Sequence, residues 1–212
     1  SATPGAATFT ELSAHEVRAI TLNGRSIDPA TAFADSRIAL EGLELENELV
    51  VDADALYTNT GEGLHRFVDP VDDEVYLYSQ FEVPDSRRVF AVFEQPDLKA
   101  TFQFTVTAPS AWKVVSNSPS PEATDHGDGS ATWVFEATPR ISSYITALIA
   151  GPYEVTTSEL TSSSGRVIPL GVYGRKSLWQ HLDADYIFDK TRQGFEYFEA
   201  KFDYPYPFAK YD

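Results

Sequence analysis

The chain has 212 residues, of which 42% are hydrophobic and 13% aromatic, enough for a packed core and too many for a disordered segment. Its formal net charge of −16 argues against nucleic acid and anionic membranes as partners, because both would repel it. The sequence has no cysteine, which excludes disulfides, thiolate metal sites and a cysteine nucleophile. No apolar run approaches the roughly 20 residues that a membrane-spanning helix needs.

The first 150 residues predict short strands separated by turns. Asn23-Gly24 is the signal of a two-residue hairpin loop, and Asp128-Gly129 indicates a second hairpin. Alternating or apolar runs predict further strands at residues 9–12, 17–22, 38–40, 48–53, 112–116, 132–136 and 142–150. About ten short strands with turn signals between them are typical of an all-β sandwich or saddle.

The central stretch, residues 76–106, predicts a strand, a polar turn and more strand. Side chains alternate along residues 76–82, and Glu82 is expected to close that strand. Pro84-Asp85 then breaks the ladder, since proline lacks the backbone N–H and restricts the residue before it. Alternation resumes over residues 99–106, which predicts another strand.

Arg87 and Arg88 follow the proline turn directly. We interpret both arginines as structural and expect them to pair with Asp85 or Glu94.

The pattern changes after Gly151-Pro152. Residues 154–159 and 166–173 predict two strands, and residues 178–202 predict a helix with one apolar face, made of Ile187, Thr191, Phe195, Phe198 and Phe202. Such a face needs a packing partner that the residues after 152 do not supply. We therefore expect a β-domain at residues 1–152 and the truncated start of a second domain at 153–212. The lack of any methionine also fits a fragment.

Two acidic loops could bind a cation. The sequence Asp125-His126-Gly127-Asp128 lies on a hairpin signal, where a polar loop is the simpler interpretation. Asp69, Asp72, Asp73 and Glu74 are spaced loosely like a calcium loop but lack its glycine and terminal glutamate.

Two other groups are weaker candidates. His181, Asp183 and Asp185 resemble a metal triad, but acids are favoured at a helix start for electrostatic reasons. Glu82 and Glu94 could form a glycosidase pair, for which the sequence supplies no distance.

Two segments carry a resemblance to a known family. Residues 79–102, SQFEVPDSRRVFAVFEQPDLKATF, resemble the QFE…DARR.FPC.DEP..KATF signature of the aminopeptidase N family of zinc metallopeptidases (gluzincins). The last seven residues, YPFAKYD, resemble that family's Y-P-x-P-K-x-D segment. The resemblance looks strongest to actinobacterial members. Departures from the pattern are Ala91-Val92 for Pro-Cys, Gln95 for an acid and Ala209 for the second proline.

The resemblance implies a fold and a role for this chain. In the family, a β-saddle domain precedes an α+β thermolysin-like catalytic domain, and residues matching Gln80 and Glu82 bind the substrate's α-amino group. The intact enzyme, of alanyl aminopeptidase type, would use a zinc-bound water to remove N-terminal residues from peptides. Expected partners are peptide substrates and the remaining catalytic and C-terminal domains. We expect the protein to be cytoplasmic.

The zinc itself is not expected on this chain. Zinc binding in the family needs HExxH on a helix, and no two of the four histidines, His15, His65, His126 and His181, lie within one helical turn. The peptide-binding GAMEN segment is also absent. The resemblance thus implies zinc in the full-length protein, none on this fragment, and no hydrolysis by the fragment alone.

Other interpretations stay open at this point. Composition alone favours Glu82 as a solvated acid paired with Arg87 or Arg88. The parent could also be a non-catalytic interaction module built on the same scaffold, or the chain could be an unrelated ligand-binding β-sandwich. Neither the preferred N-terminal residue of a substrate nor the oligomeric state can be read from the sequence.

Overall fold

The computed structural model describes residues 3–212, which are mostly β structure, as predicted. In chain order the strands are β1 (Thr8–Glu11), β2 (Glu16–Leu22), β3 (Arg25–Ile27), β4 (Phe33–Ala34), β5 (Arg37–Leu40), β6 (Leu49–Asp54), β7 (Gly63–Val68), β8 (Val75–Gln80), β9 (Thr105–Pro109), β10 (Lys113–Ser116), β11 (Thr124–Asp125), β12 (Ser130–Val134), β13 (Leu148–Gly151), β14 (Glu154–Thr161) and β15 (Val167–Gly174). The helices are α1 (Pro29–Ala32) and α2 (Ala184–Phe202), with 3-10 turns at Ser86–Arg88, Ser143–Ile145 and Lys176–His181.

The chain divides into two compact units. One comprises the residues up to Arg66, Leu77–Phe102 and Thr138–Leu148, and the other comprises Phe67–Tyr76, Gln103–Ala137 and Ile149–Asp212. The polypeptide passes from one unit to the other within β7, β8 and β13. The domain boundary expected after residue 152 stays a prediction.

The first unit contains two small antiparallel sheets, ordered β1-β5-β4 and β3-β2-β6. Side chains from these sheets, from α1 and from the adjoining loops form one buried cluster of Leu12, Ile20, Leu22, Ala32, Ile38, Leu40 and Leu43. The hairpin predicted at Asn23-Gly24 is confirmed, because Leu22 pairs with Arg25 across a two-residue loop. Asn23 and Gly24 have φ values of 55° and 74°, the left-handed pair that this hairpin loop requires.

The second unit contains the antiparallel sheet β11-β12-β9 and the long β14–β15 hairpin. Helix α2 packs on the hairpin through Phe188, which is buried with Leu160, Ile168 and Leu170. Phe195 lies beside this cluster and contacts the rings of Tyr206 and Tyr211. The hairpin, the helix and the C-terminal segment therefore share one small core.

Two predicted strands are wrong in part. The strand expected over residues 99–106 begins only at Thr105, and before it Ala100 makes an isolated bridge to Ile141. The strand expected over residues 142–150 is confined to β13, because Ser143–Ile145 is a 3-10 turn. The side chain of Thr146 donates to the Ser143 carbonyl at 2.7 Å. Such local bonds compete with a strand ladder, and an apolar pattern does not reveal them.

The C-terminal helix begins later than residue 178. Residues 176–181 form a 3-10 turn, and Asp183 starts α2 by accepting a hydrogen bond from the Tyr186 N–H at 3.1 Å. The predicted apolar face is largely exposed and lines an open groove together with Tyr186, Tyr204 and Pro207. Phe202, the last residue of that face, is 69% exposed.

A buried carboxylate joins the end of α2 to the rest of its unit. Glu199 is only 8% exposed and accepts hydrogen bonds from the Ser162 hydroxyl at 2.6 Å, the Ser163 N–H at 2.6 Å and the Tyr206 N–H at 2.7 Å. These donors, the Ser162 hydroxyl foremost, lower the pKa of Glu199 from 4.5 to about 2. The ionised form of Glu199 therefore holds the hairpin turn and the C-terminal segment against the helix.

This carboxylate should make the stability of the chain depend on acid pH. A carboxyl group whose pKa is lowered by folding stabilises the fold above its unfolded pKa of 4.5, and the contribution is lost as pH falls toward about 2. We expect Glu199→Gln to lower the free energy of unfolding at pH 7 by on the order of 2 kcal/mol. Its denaturant midpoint should also change less than the wild-type midpoint between pH 5 and pH 3.

Urea unfolding at several pH values measures this difference. Glu196→Gln is the matched control, because Glu196 is an exposed acid on the same helix. Equal acid sensitivity of the wild type and Glu199→Gln would contradict the assignment.

Candidate functional site

Gln80 and Glu82 lie at the point where β8 ends. Gln80 is the last residue of the strand, and Glu82 lies in the turn that follows, not within the strand as expected. Both residues are exposed, while Phe81 between them is only 2% exposed. The peptide bond between Glu82 and Val83 is cis. Because Gln80 and Glu82 are exposed and Phe81 is buried, the strand end and the turn present an amide and a carboxylate to solvent on either side of an aromatic residue.

The turn after Glu82 is fixed by one backbone bond and one aromatic contact. The Asp85 N–H donates to the Phe81 carbonyl at 3.1 Å, which closes the turn. The Phe81 ring meets the Phe90 ring edge to face, with centroids 5.9 Å apart. Such ring pairs stabilise beyond their buried area, so both ends of the turn are anchored in the interior.

The carboxylate of Glu94 connects three segments around this turn. Its Oε2 accepts from the Ser86 hydroxyl at 2.5 Å and the Arg87 N–H at 2.9 Å, and its Oε1 accepts from the Ser143 hydroxyl at 2.7 Å. Ser86 and Ser143 are 0% and 3% exposed. Because buried hydroxyls need partners, Glu94 satisfies two groups that would otherwise be costly to bury.

The two arginines pair with acids other than Glu82. Arg88 binds the Asp85 carboxylate at 2.6 Å, which confirms one predicted pair, and it also contacts Glu62 at 3.2 Å. The hydrogen bond to Asp85 is the main cause of the raised pKa of Arg88. The Arg87 guanidinium contacts Glu11 at 3.3 Å, a partner 76 residues away that the local sequence does not indicate.

A glycine allows the start of β7 to pack against Arg88. Gly63 has a φ of +62°, and a Cβ atom placed there would lie 2.9 Å from Cδ of Arg88. Any larger residue at position 63 would displace the arginine that holds Asp85.

His65 and Tyr78 form an aromatic stack that sequence reasoning missed. Their ring centroids are 4.7 Å apart with an interplanar angle of 22°, and Tyr78 remains 40% exposed. The Gly61 N–H donates to Nδ1 of His65 at 2.9 Å. The available signal was the position of Tyr78, two residues before Gln80, and nothing in the sequence indicated that His65 lies beside it.

Comparison with known proteins decides the family. The Peptidase M1 N-terminal domain family matches residues 44–145. The chain is also 62% identical over 209 residues to aminopeptidase N of Streptomyces lividans, an alignment that covers 98% of this chain and 24% of that protein. The chain belongs to the aminopeptidase N (M1) family.

A further relative is similar in sequence, and a solved structure is similar in fold. Aminopeptidase N of Acetobacter pasteurianus is 33% identical over 136 residues, covering 64% of this chain and 36% of that protein. A crystal structure of Legionella pneumophila aminopeptidase A in complex with aspartic acid matches the fold with a TM-score of 0.80 at 17% identity, over 96% of this chain and 24% of that one. The chain thus spans about a quarter of the Streptomyces and Legionella proteins.

M1 family membership raises the question of zinc. Among residues 3–212, no three His, Cys, Asp or Glu side chains form a group that could hold a metal ion. The described part of the chain therefore does not fit the zinc of the family, and no catalytic step can be assigned to zinc here. No helix in this part is both long and apolar enough to cross a membrane.

The acidic loop at residues 125–128 is a polar hairpin loop. Asp125 accepts from the Gly127 N–H at 2.8 Å, and Asp128 accepts from the N–H and the hydroxyl of Ser130 at 2.9 and 2.6 Å. The Ser130 hydroxyl is the main cause of the lowered pKa of Asp128. His126 contacts Thr132 at 2.8 Å. These side chains shape the turn.

The second acidic loop is also occupied by internal contacts. Asp69 is 1% exposed and accepts from Ser177 at 2.5 Å and Arg175 at 2.8 Å. The Ser177 bond is the main cause of its lowered pKa. Asp72 accepts from the Glu74 N–H at 3.0 Å. Asp69 is therefore bound to an arginine rather than placed for calcium.

The helix-start interpretation of Asp183 is confirmed, because Asp183 is the N-cap of α2. Asp185 lies in the first turn and His181 at the end of the preceding 3-10 turn.

Loss of the Glu94 carboxylate should destabilise the turn that follows Glu82. In this chain, Glu94→Ala would leave the Ser86 and Ser143 hydroxyls buried without their partner. We expect the free energy of unfolding to fall by about 1.5–3 kcal/mol, the scale of a hydrogen bond to a charged group. Thermal unfolding measures the loss. Gln95→Ala, at the exposed neighbouring position, should change the midpoint little, and equal losses in both variants would contradict the role of Glu94.

Proposed function

We propose that this chain is the N-terminal part of a longer zinc aminopeptidase that removes N-terminal residues from peptides. Within it, Glu82 and Gln80 bind the α-ammonium group of the substrate. M1 family membership and the presence of both residues in the signature segment support this proposal.

The observation that carries the proposal is that the acids within residues 79–102 differ in their partners. Asp85 binds Arg88, and Glu94 binds Ser86, Arg87 and Ser143. Within residues 3–212, the Glu82 carboxylate has no hydrogen bond or ion pair, although two arginines follow it closely in sequence. This argues against Glu82 as a partner of Arg87 or Arg88 and leaves its charge available for a ligand.

An ammonium group suits the chemistry of this turn. A carboxylate is an acceptor only, and a protonated amine offers three donors, so Glu82 and the amide oxygen of Gln80 can each take one. A hydrogen bond between two charged groups is shorter and about twice as strong as a neutral one. The net charge of −16 also attracts cationic groups over longer distances.

The remaining parts of the enzyme belong to the proposed longer protein. We place the zinc ligands there, so that this chain alone does not hydrolyse peptides. We also propose that residues 1–152 form a β-domain and that residues 153–212 form the first strands and helix of a catalytic domain. The exposed aromatic face of α2 supports this division, since apolar patches of this kind usually pack against more protein. The cytoplasmic location stays a prediction.

Replacing Glu82 in the longer enzyme tests the proposal. We expect Glu82→Ala to lower kcat/KM by about tenfold to a hundredfold, the equivalent of one charge-assisted hydrogen bond, with the zinc content unchanged. The affinity of the wild type for a peptide should fall strongly when its N-terminus is acetylated, and Glu82→Ala should show a much smaller difference. Isothermal titration with the free and the acetylated peptide measures this.

Asp97→Ala is the matched control, because Asp97 is an exposed acid in a neighbouring turn of the same segment. Wild-type kcat/KM in Glu82→Ala, together with unchanged discrimination against the acetylated peptide, would overturn the amine site. Absence of peptidase activity in the wild-type longer protein would favour the non-catalytic module instead.

A further inference from the structure

We propose that His65 and Tyr78 form a specificity-determining surface that contacts the side chain of the substrate's N-terminal residue and favours an aromatic side chain there. This inference rests on the proposed function, because it takes Gln80 and Glu82 as the site of the substrate amine. It adds what that site lacks, namely a surface for the first side chain.

Strand geometry places Tyr78 beside the amine site. Side chains two residues apart on a strand point to the same face, so Tyr78 and Gln80 share one face of β8. At the end of the strand burial follows the same pattern, with Tyr78 and Gln80 exposed and Leu77 and Phe81 buried, whereas Tyr76, farther back on the first face, is buried. The two Cα positions are roughly 6.6 Å apart at the usual rise per residue. Aromatic side chains reach across such a spacing on a sheet.

The chemistry of the pair selects for a flat ring. A substrate's side chain leaves the same carbon that carries its amine, so an amine held at Gln80 directs a neighbouring side chain over the surface of β8. Tyr78 is 40% exposed although its ring stacks on His65. Aromatic rings prefer offset-stacked or edge-to-face contacts with each other, which a small side chain such as alanine cannot make.

The surface is held in place before a substrate arrives. Because Nδ1 of His65 accepts the Gly61 N–H, the neutral ring carries its proton on Nε2 and cannot rotate without losing this bond. The loop supplying Gly61 is itself fixed, since the Thr58 N–H donates to the Leu64 carbonyl at 3.0 Å and the Arg66 N–H donates to the Thr58 carbonyl at 2.8 Å. A preorganised ring loses less entropy on binding than a mobile one.

The test compares two substrates of the full-length enzyme that differ only in the first residue, the p-nitroanilides of phenylalanine and alanine. We expect Tyr78→Ala to lower the ratio of kcat/KM for phenylalanine to that for alanine by about two- to tenfold, the scale of one aromatic contact. Tyr78→Phe keeps the ring and should keep the ratio. His65→Ala should lower the ratio in the same direction, because it removes the support of Tyr78.

Two further variants separate specificity from folding. Tyr78→Val keeps a strand-favouring side chain and should lower the ratio as Tyr78→Ala does, even if the alanine variant folds poorly. Tyr197→Ala removes an exposed tyrosine of α2 that does not line the groove of that helix, and it should leave the ratio unchanged.

The inference and the proposed function fail in different ways. Glu82→Ala should lower kcat/KM for both substrates alike, because both carry the same amine. If Glu82→Ala behaves so but Tyr78→Ala and Tyr78→Val leave the ratio at its wild-type value, or reduce both substrates equally, the specificity surface is overturned while the amine site stands. If Glu82→Ala has no effect on either substrate, the amine site itself is overturned, and the inference with it.

Discussion

The contacts of the Glu94 carboxylate are the constraint on which the candidate site depends. One side chain binds Ser86 and Arg87 on the turn after Glu82 and also Ser143 on a segment some fifty residues later. The two serine hydroxyls cannot exchange these bonds for water, because both serines are buried. The hydrogen bonds of Glu94 therefore fix the turn that carries Glu82 on its buried side, and the Glu82 side chain stays exposed to solvent.

This arrangement explains why similar acids in one segment have different roles. Glu82, Asp85 and Glu94 look alike in the sequence, and composition assigns each the same preference for solvent. In the structure, Asp85 and Glu94 are committed to an arginine and to hydroxyl and backbone donors. Acids of this kind hold the turn in shape, whereas the exposed Glu82 carboxylate keeps its acceptor oxygens accessible. Only the three-dimensional contacts separate the two kinds.

Local signals predicted local structure well. The hairpin at Asn23-Gly24 and the position of Asp183 near a helix start follow from residues within a few positions of each other, and both agree with the structure. The sequence did not predict contacts between residues that are distant from each other along the chain. Arg87 pairs with Glu11, and His65 stacks on Tyr78, through contacts that no period or motif encodes. The strand expected over residues 142–150 failed for a local reason, since the Thr146 hydroxyl bonds the Ser143 carbonyl there.

Helix α2 shows how a correct pattern can have an unexpected partner. The apolar stripe at three-to-four spacing exists, but the hairpin is contacted by Phe188, which lies two turns before Phe195 at the edge of that stripe, and the end of the helix is held by Glu199. Within the stripe, Phe195 packs beside this cluster, whereas Ile187, Phe198 and Phe202 stay exposed along the groove. A buried carboxylate needs every one of its donors, whereas exposed aromatic rings gain stability only when another surface covers them, and residues 3–212 leave them uncovered. The polar contacts of Glu199 therefore orient the helix, and the exposed rings add nothing to its orientation.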